Sequence, residues 1–135
     1  MDGVILTPLK QVKHPLGDIY HALKKSEKDF SGFGEAYFSI VNQGSIKGWK
    51  KHTEMVLNLI VPMGEVKFVV YNEDLEDFYS VQLSQKNYQR LMIKPGLWVS
   101  FKGIGDTNIL LNVASIEHNP NESINVDLDA IDYEW

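Results

Sequence analysis

A chain of 135 residues is the size of one domain, because it can withdraw roughly 70% of its unfolded surface around a single core. With 44% hydrophobic and 23% charged residues it falls outside the disordered, collagen-like and disulfide-stapled classes, and its size excludes a modular enzyme. Thirteen Lys and Arg against eighteen Asp and Glu give net −5 with no basic block, which argues against a nucleic-acid partner. The absence of cysteine removes disulfides, thiolate zinc sites, iron–sulfur clusters and cysteine nucleophiles.

The amino terminus carries Asp2 where a secretory signal needs cations, and Pro8 and Lys10 cut short its apolar run. No run of eighteen apolar residues follows, so no membrane partner is expected and a cytoplasmic location is the default. Residues 18–28 fit a helix through Ile19, Ala22 and Leu23, yet Ile19, His21 and Leu23 fit strand alternation equally well. From there strands dominate, over residues 36–41, 55–61, 65–71, 78–83, 97–102 and 108–115.

The clearest is 65–71, where Val66, Phe68 and Val70 take one face and Lys67, Val69 and Tyr71 the other. Pro62, Met63 and Gly64 make a short connection that predicts a hairpin, with strands 55–61 and 65–71 paired antiparallel. Shorter segments near the termini bring the expectation to about eight to ten strands, closed into a β-sandwich or barrel that protects its edges. The stretch 119–135 alternates acids with Ile124, Val126, Leu128, Ile131 and Tyr133 and reads as an edge strand or a tail.

Four segments, in order, carry a resemblance. Residues 44–52, Gly-Ser-Ile-Lys-Gly-Trp-Lys-Lys-His, resemble the Gly-Val-Leu-Arg-Gly-Leu-His-Tyr-Gln signature of dTDP-4-dehydrorhamnose 3,5-epimerases. Residues 3–9 with Gly17 and Asp18 resemble that family's opening strand and Arg-Gly-Asp turn. Leu83, Ser84 and Asn87, then residues 93–96, Ile-Lys-Pro-Gly, are similar to its Leu-Ser strand end and Ile-Pro-Pro-Gly turn. Residues 122–127, Glu-Ser-Ile-Asn-Val-Asp, through to Trp135 resemble its closing segment.

The resemblance spans nearly the whole chain. It implies an all-β cupin jelly roll in one domain over residues 1–135, a homodimer, and a nucleotide-sugar site inside the barrel. The activity it implies is the isomerisation or epimerisation of a nucleotide-linked keto sugar in deoxysugar and surface-polysaccharide biosynthesis, by metal-free acid–base chemistry with no cofactor.

Position by position, the catalytic set is substituted. The family's phosphate-binding Arg falls on Lys47, which keeps a cation but loses the bidentate fork. Its catalytic His falls on Lys50 and a second active-site His on Val99. Its acidic Tyr falls near Leu111 or Asn112, and the Asp that orients the His falls on Leu128, beside Asp127. Of the four places where a metallocupin needs ligands, Lys50, His52, Leu57 and Val99, only His52 is a donor of the right kind, so no metal is expected.

Two functional readings follow. In the first the chain is an enzyme, with Lys50 and His52 as catalytic candidates. A buried lysine sheds its proton more readily or forms a Schiff base with a ketone, and imidazole titrates near neutrality. Lys50, His52 and Glu54 alternate toward one face with Asn58, so Glu54 and Asn58 join the substrate-binding candidates, Glu54 orienting His52 or Lys50. Lys47 is the candidate phosphate ligand in a cluster with Lys50 and Lys51, and Trp98, like Trp49, is a candidate for stacking on a base or sugar ring, or for core packing. Tyr37, Tyr71 and Tyr79 are packing residues unless a phenol faces the lumen, where it donates a proton. In the second reading the chain is a sugar- or nucleotide-sugar-binding cupin that has lost catalysis.

Overall fold

The structure is a computed structural model that describes residues 1–135. Its strands are β1 (Val4–Pro8), β2 (Gln11–Val12), β3 (Ile19–Tyr20), β4 (Glu35–Asn42), β5 (Ile46–His52) and β6 (Leu57–Met63). They continue with β7 (Glu65–Asn72), β8 (Asp77–Ser84), β9 (Gln89–Ile93), β10 (Trp98–Gly103), β11 (Thr107–Ala114) and β12 (Ser123–Asn125). One five-stranded sheet runs β1-β9-β6-β11-β4, a second runs β12-β5-β10-β7-β8, and β2 and β3 form a small separate ribbon. All the strand pairs within these sheets are antiparallel, and the two large sheets stack as a jelly roll. No helix is long and apolar enough to cross a membrane.

Period-two alternation builds the interior. Leu57, Leu59 and Val61 of β6 meet Val66, Phe68 and Val70 of β7 across the sandwich, joined by Leu91 and Ile93 of β9 and Leu110 of β11. Burying a side chain such as the fully enclosed Phe68 contributes about 2–3 kcal/mol, so this layer supplies most of the driving force.

The hairpin expected at residues 62–64 does not form. β6 lies in the first sheet between β9 and β11, and β7 lies in the second between β10 and β8. Gly64 makes the corner by itself at φ +82°, with space only for hydrogen, because a Cβ there would stand 2.2 Å from the Thr107 carbonyl oxygen. Asn108 secures the corner, its Oδ1 accepting from the Glu65 amide at 2.9 Å and from Gly105 at 3.0 Å. Two strands that each carry a strong apolar face bury more by opposing one another than by lying side by side.

Residues 18–28 resolve as the short β3 followed by turns rather than a helix. The fully buried Arg90 of β9 tethers this connection, pairing with Glu27 at 2.6 Å and Asp29 at 2.9 Å and donating to the Ala22 carbonyl at 3.2 Å. The stretch 119–135 is both edge strand and packed tail. β12 pairs with β5, and Val126, Ile131, Tyr133 and Trp135 then cover a cluster of Trp49, Val69 and Trp98 on the outer face of the second sheet. Lys67 lies 5.1 Å from the Tyr133 ring, closing that cover from above.

Candidate active site

A cavity of about 390 Å³ opens between the sheets where β4, the edge of the first, faces β5 and β12 of the second. Its charged lining is Lys47, Lys50 and His52, all from β5, and no carboxylate reaches its wall. Neither lysine is in an ion pair, and the only hydrogen bond from Lys47 Nζ is a long one, 3.4 Å, to the Ile40 carbonyl. Two unneutralised ammonium groups in a chain of net −5 make the cavity a local sink for an anion. Leu57, Leu59, Val99, Phe101 and Leu110 form an apolar floor, and Tyr37, Ser39, Asn112 and Asn125 supply hydrogen-bonding groups. A few polar groups convergent on an apolar cavity are what a small ligand needs for orientation.

His52 closes the inner end of β5 and is 8% exposed. Its Nδ1 is hydrogen-bonded to Glu122 Oε1. Glu122 arrives there because Asn119 caps a 3₁₀ turn, Pro120–Glu122, that delivers the chain into β12 with Ser123 in register with His52. Its second oxygen accepts from the backbone amides of Thr53 (3.2 Å), Glu54 (3.0 Å) and Met55 (3.1 Å), and its own carbonyl accepts from Thr53 Oγ1 at 2.7 Å.

Burial by itself would raise the Glu122 carboxyl, but the His52 ring and the amides of Glu54 and Met55 outweigh it and hold the group below the ordinary carboxylate range. An ionised carboxylate only accepts, so His52 Nδ1 donates in this contact, and in the neutral ring Nε2 is the nitrogen left with the lone pair. This is the arrangement of a general base held in one tautomer by a buried carboxylate.

Of the residues singled out from sequence, Lys47, Lys50 and His52 share the cavity, while Glu54, Asn58 and Trp98 lie outside it. β5 ends at His52, so the alternation stops and Glu54 turns out to solvent with only its amide on Glu122. Asn58 sits between Leu57 and Leu59 on β6, both of which line the cavity, so its side chain points the other way and donates to the Val113 carbonyl at 3.0 Å. Trp98 packs on the outer face with Lys51 4.8 Å above its ring, and the neighbouring Val99 takes the cavity position. Trp49 is held in the same outer cluster, its indole N–H donating to the Leu128 carbonyl at 3.1 Å.

Alternation offers Glu54 as the acid that orients His52 or Lys50, and the resemblance puts the Asp that orients its catalytic His at Leu128, beside Asp127, but the carboxylate on His52 is that of Glu122. The signal for it was present in the closing motif, which begins at that residue. Of Tyr37, Tyr71 and Tyr79, Tyr37 is the one that lines the cavity; Asn112 lines it where the resemblance had an acidic Tyr nearby, and Asn125 carries no spacing that marks it in the sequence. No three His, Asp or Glu side chains converge as metal ligands.

No protein-family model matches the chain, and no curated protein matches it significantly. Solved structures do. A dTDP sugar isomerase from Desulfovibrio desulfuricans G20 superposes with a TM-score of 0.94 at 32% identity, covering 99% of this chain and 91% of that one. A variant of the 3,4-ketoisomerase QdtA from Thermoanaerobacterium thermosaccharolyticum, in complex with TDP-4-keto-6-deoxyglucose, superposes at 0.80 with 21% identity over 92% of this chain and 88% of that one. The dTDP-6-deoxy-D-glucose-3,5-epimerase RmlC of Legionella pneumophila, in complex with dTDP-4-keto-L-rhamnose, does so at 0.83 with 16% identity over 95% and 74%. The last two establish a common fold. The first, more identical and matched almost end to end, shows that the chain belongs to the dTDP-sugar isomerase family.

Proposed function

We propose that the chain is an isomerase or epimerase acting on a dTDP-linked 4-keto-6-deoxy sugar, in the biosynthesis of deoxysugars for surface polysaccharide. The observation that carries this reading is the His52–Glu122 pair, which ties up Nδ1 and leaves Nε2 as the proton-accepting nitrogen of the neutral ring, on a cavity that also holds two unpaired lysines. A hydrogen on the carbon beside a ketone is acidic enough for such a base, because the resulting charge is delocalised onto the carbonyl oxygen. Lys47 and Lys50 attract the diphosphate, and Lys50 additionally offers positive charge to the developing enolate. The same groups return the proton to the same or the adjacent carbon, so no cofactor is required.

A cytoplasmic location belongs to this reading, since a charged nucleotide sugar does not cross a membrane unaided. So does a homodimer. Phe38 and Ile40 on the outer face of edge strand β4 are 68% and 57% exposed and would be covered by a second copy. Ile40→Lys then shifts sedimentation from dimer to monomer, and an unchanged profile discards that surface.

The test of function is conversion of dTDP-4-keto-6-deoxyglucose, followed by proton NMR. A new keto isomer or epimer is expected. Saturable binding with no conversion of any dTDP-4-keto-6-deoxy sugar would leave a binding protein instead of an enzyme.

A further inference from the structure

The cavity holds a second group whose hydrogen bonding fixes what it can do. Tyr37 enters from β4 of the first sheet, across the cavity from His52 on β5 of the second. It is the direct register partner of Asn112 on β11. Asn112, 2% exposed, accepts the Asn58 backbone N–H at its Oδ1 (3.0 Å), and its Nδ2 donates to the Tyr37 hydroxyl oxygen, also at 3.0 Å.

A backbone N–H can only donate. The oxygen of the Asn112 amide is therefore held toward Asn58, and its NH₂ is held toward Tyr37. That NH₂ cannot accept, so the Tyr37 oxygen is the acceptor of this contact and its own hydrogen must go elsewhere. No other group in the protein accepts it. A half-exposed phenol on the cavity wall, already supplied with one donor, has its hydrogen free for a ligand, and the same donor steadies the phenolate once the hydrogen has left.

Resting on the function proposed above, we infer that Tyr37 is a second catalytic residue, the proton donor to the ketone oxygen, and that Asn112 is its positioning residue. As His52 Nε2 takes the proton from the carbon beside the ketone, the C–H electron pair becomes a carbon–carbon double bond. The carbonyl π pair moves onto oxygen, which takes the Tyr37 proton. The result is a neutral enediol flanked by an imidazolium and a phenolate. Collapse reverses the flow: the imidazolium protonates carbon, and the phenolate recovers a proton from the enediol hydroxyl that becomes the new carbonyl. Two protons leave and two return, and nothing is oxidised.

The inference is tested with Tyr37→Phe, Asn112→Asp and the double variant, on dTDP-4-keto-6-deoxyglucose, with dTDP binding measured by calorimetry. Tyr37→Phe removes one oxygen from a ring that is 40% exposed and leaves the packing in place. It is expected to lower kcat about a hundredfold, with dTDP affinity held within about threefold. Aspartate at 112 keeps the shape but accepts where the amide donated, capturing the Tyr37 hydrogen. Its kcat is expected to fall comparably, and the double variant to be no worse than the poorer single one. Tyr37→Phe turnover within about twofold of wild type, or losses that multiply in the double variant, would overturn the inference while leaving the function intact. A wild-type protein that converts no dTDP-keto sugar would remove the function itself, and this role with it.

Discussion

Glu122→Gln is the most informative substitution, because the buried carboxylate has two duties that an amide cannot perform together. Its Oε2 accepts three backbone N–H groups from Thr53, Glu54 and Met55, and its Oε1 faces His52 Nδ1. The backbone groups only donate, so the glutamine oxygen must take the Oε2 place and its NH₂ must face the ring. His52 Nδ1 then becomes an acceptor, the ring proton moves to Nε2, and the cavity loses its base. A wrong tautomer of this kind costs about two to four orders of magnitude in kcat. The lost charge-assisted bond to His52, with weaker acceptance from the three amides, costs about 2 kcal/mol of stability, a Tm fall of roughly 6–10 °C for a domain of this size. Nitrogen-15 NMR of the imidazole reads the tautomer directly, and thermal denaturation and turnover read the other two quantities. An Nδ1–H signal that persists in Glu122→Gln, or turnover within about threefold of wild type, would mean that Glu122 does not set the His52 tautomer.

The same carboxylate gives a pH dependence. Its folded pKa lies below its ordinary 4.5, so its contribution is fully present above that value and is lost as pH falls through the folded one. The urea midpoint of the wild type should drop on acidification below pH 4.5, and that of Glu122→Gln should drop less; parallel curves would show that the pairing contributes nothing. Lys47→Ala and Lys50→Ala should each weaken dTDP binding by about tenfold at low salt, with less effect at high salt, and unchanged calorimetric affinity would remove the lysines from the anion site. Gly64→Ala forces a Cβ to within 2.3 Å of Asn108 Oδ1 at the sheet-switching corner. It should cost about 2–4 kcal/mol, read as an equilibrium unfolding shift, and a neutral result would mean that the corner can relax.

The strands were legible because period-two alternation is local, and β7 shows it on both faces: Val66, Phe68 and Val70 inward, with Val69 outward beneath the tail. Which strands are neighbours is not local. Residues 62–64 carry hairpin chemistry, yet the chain changes sheets there, because the gain comes from β6 facing β7 across a core that the short segment does not reveal.

The site divides along the same line. Lys47, Lys50 and His52 lie within six residues on β5, and their clustering can be read from spacing. The partners that give them chemistry come from 70 residues away for Glu122 and, for the Tyr37–Asn112 contact, from a strand pair 75 residues apart. Glu54 illustrates the limit. It is the nearest acid in sequence, but the strand ends two residues before it and the turn directs its side chain outward, leaving only its amide to serve the acid that does reach His52.

In the proposed reaction His52 moves a proton at the carbon beside a sugar ketone. The direct measurement is deuterium entry from D₂O into bound dTDP-4-keto-6-deoxyglucose, comparing wild type with His52→Asn at matched dTDP occupancy. Wild type should label the carbon adjacent to the ketone and His52→Asn should not, although both bind dTDP. Equal labelling by the two proteins would mean that His52 is not the base.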